Sequence, residues 1–593
     1  MRIICKAKRL FLYNNFYTLN YFLMKKLNLF LLMIFISAVF FGCEQKKTQE
    51  TLKSDPEMVK QFGDFLNNFE AKYVPLYKEN NLAYWNASIS GKEEDFKKVA
   101  EYQNKLTAIF SNKADFNTLK KIHSSKGITD SIKKRELDVL YLSFLGNQAD
   151  TAKLNAINNA QSQIEVKYGN FRADMNGKKL SDNEIEEILV TSKDSKELEA
   201  AWIAHKKIGP VVAEDVKKLV KMRNEVAKDL GYLNYHEMRL KLSEQDPAEI
   251  LKLFDELDVL TKDAFKKQKD EIDSYFAERY KIKKEDLMPW HYQNRFFQEA
   301  PKIYKVDLDT YYKDKNLEQL TAEYYKGLGI PIDDVIKNSD LYEKPGKNQH
   351  AYCTDIDNMG DVRVLCNIKP TEKWMNTMLH EFGHSAYDKY IDNKNLPFVL
   401  RDAAHTFTTE AIAMIFGRFS SNGTWMKDMK LVTEEEAQKI SDDAFKSLRL
   451  QQLVFSRWSQ VMYRFEKSMY ENPDQDLNKL WWDLVEKYQL LKRPEGRNEP
   501  DWASKIHIAA FPCYYHNYHL GELLASQLYY YIGKNILKAD DFKNQSFVNK
   551  PEVGKYLQEK VFMPGARYYW NDMIEKATGE KLTAKYYAQQ FVN

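Results

Sequence analysis

The stretch His380-Glu381-Phe382-Gly383-His384 constrains the fold more than any other part of the chain. Two histidines four apart reach one ion only on a helix, where positions i and i+4 share a face. Trp374, Met375, Met378, Leu379 and Phe382 give that helix an apolar side, so it is amphipathic and packs against a core. Pro370-Thr371-Glu372 opens it, with Thr371 as N-cap and Glu372 in the first turn. Glu381, beside the histidines, is placed to act as a general base on a water at a metal ion. A catalytic zinc takes three protein ligands and keeps a position open, so a second segment has to return to this helix.

Four residues downstream can supply the third ligand: Asp388, Asp402, His405 and Glu410. Asp388 shares the face of His384 but lies one turn too far along the same helix. Glu410 opens an apolar helical run, Ala411 to Phe416. If the connection Asn393–Arg401 joins two antiparallel helices, Glu410 comes back beside the histidines, and it is the residue selected. Before the first helix, His350 to Cys366 reads as a β-hairpin turning at Met359-Gly360. Cys353 and Cys366 are equidistant from that turn and are expected to face each other, either bridged or as two packed thiols. The rest is mainly helical. One start is sharply marked at Asp246-Pro247-Ala248-Glu249, and the charged run Lys262–Lys284 reads as a solvated helix face.

The N-terminus reads as a targeting segment. Met24-Lys25-Lys26, an apolar run from Leu27 to Phe41, and Gly42-Cys43 have the order of a bacterial lipoprotein signal. Met24 is then the expected start, residues 1–42 are removed, Cys43 carries the lipid, and 43–54 form a tether. The net charge of +3 in the full sequence belongs to this segment, which holds six basic and no acidic residues. A near-neutral chain gives no ground for a nucleic-acid partner. Mean hydropathy is −0.59, which is unlike a polytopic membrane protein. Cys43-Glu44-Gln45-Lys46-Lys47 lacks a strongly acidic export signal, so the expected location is the bacterial envelope, lipid-anchored and facing the periplasm.

A second constellation lies at Lys505-Ile506-His507 and Pro512-Cys513-Tyr514-Tyr515-His516-Asn517-Tyr518. Tyr515 and Tyr518 share a face of a helix begun after Pro512, and a histidine and a phenol are donors suited to a developing oxyanion.

Together these motifs resemble the peptidyl-dipeptidase A family, the family of angiotensin-converting enzyme. The likeness runs through His380-Glu381-x-Gly383-His384, Leu396-Pro397-x-x-Leu400-Arg401, Glu410-Ala411-Ile412, Trp481-Trp482-Asp483-Leu484, Lys487-Tyr488-Gln489 and Ala503-Ser504-Lys505-x-His507-Ile508. It is densest over Gln349 to Gln527. Arg223-Asn224-Glu225 and Gly231-Tyr232 carry it upstream, and it extends over 55–593. The resemblance implies a mostly α, gluzincin-type, two-lobed helical fold with a deep central cleft and a small antiparallel sheet. It implies one metallopeptidase domain over 55–593, with an N-terminal helical lid at about 55–200 and a catalytic core at about 201–593. One zinc would sit on His380, His384 and Glu410, with Glu381 as general base and acid and His507 and Tyr518 at the oxyanion. His350, Ala351 and Cys353 would lie on an edge strand pairing with substrate. Lys505, with Tyr515 or Tyr514, would hold the substrate's C-terminal carboxylate, with Gln293 as the accompanying glutamine. The implied reaction is release of C-terminal dipeptides from peptides with a free C-terminus. The rivals are an endo-acting oligopeptidase on the same scaffold and a non-catalytic peptide-binding lipoprotein. Val485 and Asn517 stand where the family has chloride-binding arginines, so chloride dependence has no support here. Met414 stands where an aspartate usually orients a zinc histidine, so that ring needs another partner.

Overall fold

The computed structural model describes residues 53–304 and 307–592, and most of them are helical. Helix α1 (Pro56–Ser90) carries Phe62, Phe65 and Phe69 at helical spacing. They pack against Leu119, Ile122 and the Leu137, Leu140 and Phe144 stripe of α2 (Ser131–Gly146). This cluster is a hydrophobic core of its own, separate from the larger one that runs from Ala149 to Phe591. The described residues from Glu57 onward group as one compact unit. The expected signal segment, the start at Met24 and the lipid site Cys43 lie outside the described residues. No helix among the described residues is long and apolar enough to cross a membrane.

A small hairpin interrupts this mainly helical region. Strands β1 (Ala173–Met175) and β2 (Lys178–Leu180) pair antiparallel around Asn176-Gly177. Both turn residues take positive φ, 56° and 84°, as a two-residue Asn-Gly turn requires. Helix α3 (Pro247–Tyr280) starts as expected, with Asp246 Oδ1 accepting from the Ala248 and Glu249 amides at 2.9 and 3.0 Å. Its charged run is not wholly solvated. Lys269 is buried, and its Nζ donates to Asp273 at 2.7 Å and to the Tyr292 hydroxyl at 2.8 Å.

The second sheet consists of β3 (Tyr352–Asp355) and β4 (Val362–Leu365), antiparallel. Its register places Cys353 opposite Val364, so Cys353 and Cys366 do not face each other, and both are free thiols. The reason lies in the loop. Asp355 Oδ1 accepts from the Asp357 and Asn358 amides at 3.0 and 2.8 Å, and Ile356 N donates to Asp361 O at 2.9 Å. The turn therefore closes around 357–360, one residue earlier than a Met359-Gly360 tip, and the pairing slips by two. Strand β3 has β4 on one side only.

Helix α4 (Glu372–Lys389) follows, with Thr371 Oγ1 accepting from the Trp374 amide at 3.3 Å. It packs on α5 (Thr406–Gly417), which begins four residues before Glu410 rather than at it, because His405 caps it. The two helices run antiparallel: Gly417 lies against Asn376 and His380, Gly383 against Ala413, and the Tyr387 hydroxyl near the Ala404 amide. A side chain at 383 would bring its Cβ within 2.9 Å of Ala413 Cα, so glycine is what lets the backbones approach. Helices α6 (Glu434–Glu471) and α7 (His516–Tyr531) complete the surroundings of the site.

Candidate metal centre and active site

The antiparallel pair α4 and α5 brings His380, His384 and Glu410 together. One ligand atom from each lies within 4.8 Å of the others. Glu410 Oε2 is 3.7 Å from His380 Nε2 and 4.0 Å from His384 Nε2. The two rings are 4.9 Å apart and nearly perpendicular, so their nitrogens converge on one point rather than stack. Burial holds both imidazoles neutral, pushing them down to about 4 and about 3. Neutral imidazole is the form that binds a metal. Two neutral imidazole donors and one carboxylate, aimed at a common point, fit a catalytic zinc.

Among the described residues Asp388, Asp402 and His405 do not join this group. His405 Nε2 lies 3.1 Å from Ser243 O, and its Nδ1 accepts from the Phe407 amide at 3.3 Å. Asp388 takes the Cys353 thiol at 3.8 Å. The ring partner that Met414 cannot provide is Thr409: its Oγ1 is 2.8 Å from His384 Nδ1. Sequence gave no means of choosing this hydroxyl over its neighbour Thr408.

Glu381 is buried beside the triad. Burial first, and the Glu410 carboxylate second, push its carboxyl up to about 8, while the Cys353 backbone pulls the other way. The triad and Glu381 open on a cleft of about 730 Å³ that is also lined by Ala351, Tyr352 and Cys353, by Asp388 and Asp402, and by Tyr514. His350 is exposed and is not among the lining residues. Asp388 and Asp402 have their carboxyls raised by burial and by nearby carboxylates or burial alone, respectively.

The second constellation assembles around the start of α7. Tyr518 is half-buried, with Tyr514 and Tyr515 rings each 5.4 Å away. The Glu410 carboxylate adds to burial in raising both Tyr514, to about 12, and Tyr518. Both phenols therefore lie in the field of the metal triad. His507 is 5.3 Å, ring to ring, from Tyr515. Burial, then Lys505, pushes His507 down to about 4, and its Nδ1 is buried without a hydrogen-bond partner. Helix α7 begins at His516, later than expected, because Cys513 takes a left-handed φ of 57° and its amide is spent on Glu466 Oε1 at 2.9 Å.

Lys505 is buried, and burial lowers its ammonium to about 7. It lies 5.5 Å from the Tyr515 ring, and the Tyr515 hydroxyl accepts from Trp458 Nε1 at 2.8 Å. Tyr515 thus goes with Lys505, and Tyr514 with the metal cleft. The glutamine on Lys505 is Gln298, whose Oε1 accepts from Nζ. Gln293 instead donates to Val190 O at 3.1 Å. Gln489 fixes this arrangement by donating to the Phe296 and Phe297 carbonyls at 3.0 and 2.8 Å. Asn517 sits in a neutral network, accepting from Gln245 Nε2 at 2.6 Å, with Gln245 Oε1 2.7 Å from His516 Nε2.

Comparison with known proteins agrees with this geometry. The family model described as angiotensin-converting enzyme, a peptidase family, matches residues 57–591. An angiotensin-converting enzyme of Haematobia irritans exigua is 23% identical over 454 residues, 69% of this chain and 72% of that protein. The mouse angiotensin-converting enzyme is 22% identical over 422 residues, 66% of this chain and 32% of that protein. The chain thus spans about a third of the length of the mouse relative.

Proposed function

The chain belongs to the angiotensin-converting enzyme family, a family of metallopeptidases, and from that premise we propose that it is a zinc peptidyl-dipeptidase acting on peptides with a free C-terminus. His380 Nε2, His384 Nε2 and the Glu410 carboxylate would hold the ion. Zinc would supply Lewis acidity there, acidifying a water and polarising the scissile carbonyl. The other steps belong to side chains. Glu381 takes the proton of the attacking water and returns it to the leaving amine. Its raised carboxyl in the metal-free protein suits a group that both accepts and gives up a proton near neutrality. Tyr518 and His507 donate to the developing oxyanion, and His507, being neutral, does so without adding charge.

Substrate position follows from the flanks. Lys505 and Gln298 receive the C-terminal carboxylate, with Tyr515 packed on Lys505. The free edge of β3 at Ala351–Cys353 pairs with the peptide backbone. The part of the metal cleft lined by Asp388 and Asp402 receives the N-terminal portion and favours a cationic group there. Val485 and the neutral Gln245–Asn517–His516 network offer no cation of their own to a chloride, while Lys206 and Arg295 line the pocket beside Val485, so a chloride requirement is not part of this proposal. A lipid on Cys43, exposed by removal of residues 1–42, anchors the enzyme in the envelope, facing the periplasm.

The observation that carries this reading is the convergence of His380, His384 and Glu410 with Glu381 on one cleft. It is tested by peptide hydrolysis with and without a chelator, and by Glu381→Gln. Chelation should abolish turnover. Glu381→Gln should lower it by about 10²–10⁴-fold while one zinc per chain is retained. Undiminished turnover in either case refutes the reading.

A further inference from the structure

The Thr409 hydroxyl sits where it can hold the His384 ring in place. A metal-binding imidazole is neutral, with a proton on one ring nitrogen and a free lone pair on the other. Nε2 faces Glu410 Oε2 and the His380 ring, and Nδ1 faces Thr409 Oγ1 at 2.8 Å. A proton on Nδ1 donates to that oxygen and leaves the Nε2 lone pair directed at the triad. The other assignment turns Nε2–H toward the place a cation would occupy. We propose that Thr409 is the positioning residue that holds the orientation of the His384 ring, accepting from Nδ1 when a divalent metal takes Nε2.

Three further features support the assignment. Thr409 directly precedes the ligand Glu410 on α5, so one helical turn delivers both the carboxylate to the triad and the hydroxyl to the ring behind it. Its neighbour Thr408 is not available, since its hydroxyl donates to His405 O at 2.7 Å and accepts from the His405 amide at 3.2 Å in the helix cap. Met414, one turn further on, packs against Gly521 and offers only a thioether. A hydroxyl differs from a carboxylate in this position because it orients the ring without adding negative charge behind it. The ligand is then less basic, the ion more weakly held, and its Lewis acidity greater.

This inference rests on the triad being the metal site, and the experiment separates the two. Zinc affinity of the full chain is measured by competition with a chromogenic chelator for the wild type and for Thr409→Val, Thr409→Ser and His384→Ala, alongside thermal unfolding of each metal-free form. Thr409→Val keeps shape but removes the acceptor, and should weaken zinc binding about 10- to 100-fold with metal-free unfolding unchanged. Thr409→Ser should restore affinity to within about threefold of wild type, a recovery that a purely packing role would not give. Zinc affinity of Thr409→Val within about twofold of wild type would falsify the proposal, as would a failure of serine to recover what valine loses. His384→Ala binding zinc as the wild type does would overturn the triad itself, and this inference with it.

Discussion

The surroundings of Lys505 and those of Asp388, a basic and an acidic flank, have opposite electrostatic character. On one, Lys505 is buried with Lys206 and Arg295 nearby, and neither lysine makes an ion pair among the described residues. On the other, Asp388 and Asp402 line the cleft, with Asp355 close behind, and none of the three makes an ion pair among the described residues. Burial drives the charges in opposite directions: Lys505 down to about 7, Asp355 up to about 7. An enclosed, uncompensated charge is costly, so each flank is incomplete without a partner. A peptide whose carboxylate lies at Lys505 and whose N-terminal portion carries a cation past Asp388 completes both. Under the proposed function, this polarity would give the substrate a direction.

The largest expected effect comes from deleting the cationic anchor. Lys505→Ala should reduce kcat/KM for free-acid peptides by about 30-fold or more, as loss of one partner of a buried charge pair does, and leave C-terminal amides nearly untouched. Equal losses on both would erase the distinction between the flanks. Next is pH. The ammonium of unliganded Lys505 is lost as pH rises through about 7, whereas a bound carboxylate keeps it protonated. KM for free-acid peptides should therefore rise by up to about tenfold per pH unit above 7, with little change for amides. A KM flat across that range contradicts the anchor. On the acidic flank, Asp388→Asn should cost about tenfold in kcat/KM for peptides with Lys or Arg N-terminal to the cut, and less for neutral ones. A uniform loss would assign Asp388 to structure instead. The smallest effect is that of Gln298→Ala, about 2- to 10-fold on free-acid peptides, with Gln293→Ala near wild type as the control.

What the sequence revealed and what it hid divide along physical lines. The helix bearing His380 and His384 was readable because cap, apolar spacing and motif all agree within one short segment. The return of Glu410 was readable because two amphipathic helices with a short connection have few ways to bury their faces. Asn176-Gly177 carries a local turn signal of equal strength, and a hairpin forms around it. The register of β3 and β4 was not readable, because Asp355 and Asp357 side chains decide where the loop closes. The contacts of Gln298 with Lys505 and of Thr409 with His384 depend on side chains meeting across separate or tightly packed segments, which no spacing rule encodes. The N-terminal extent of α5 was hidden for a related reason, since histidine is an unusual cap.

The most direct test of the account is mass spectrometry of the products from one defined decapeptide, offered with a free and with an amidated C-terminus. The account predicts stepwise loss of dipeptides from the free end, stopped by chelator, and little or no release from the amide. A single internal cut made equally in both forms would contradict it.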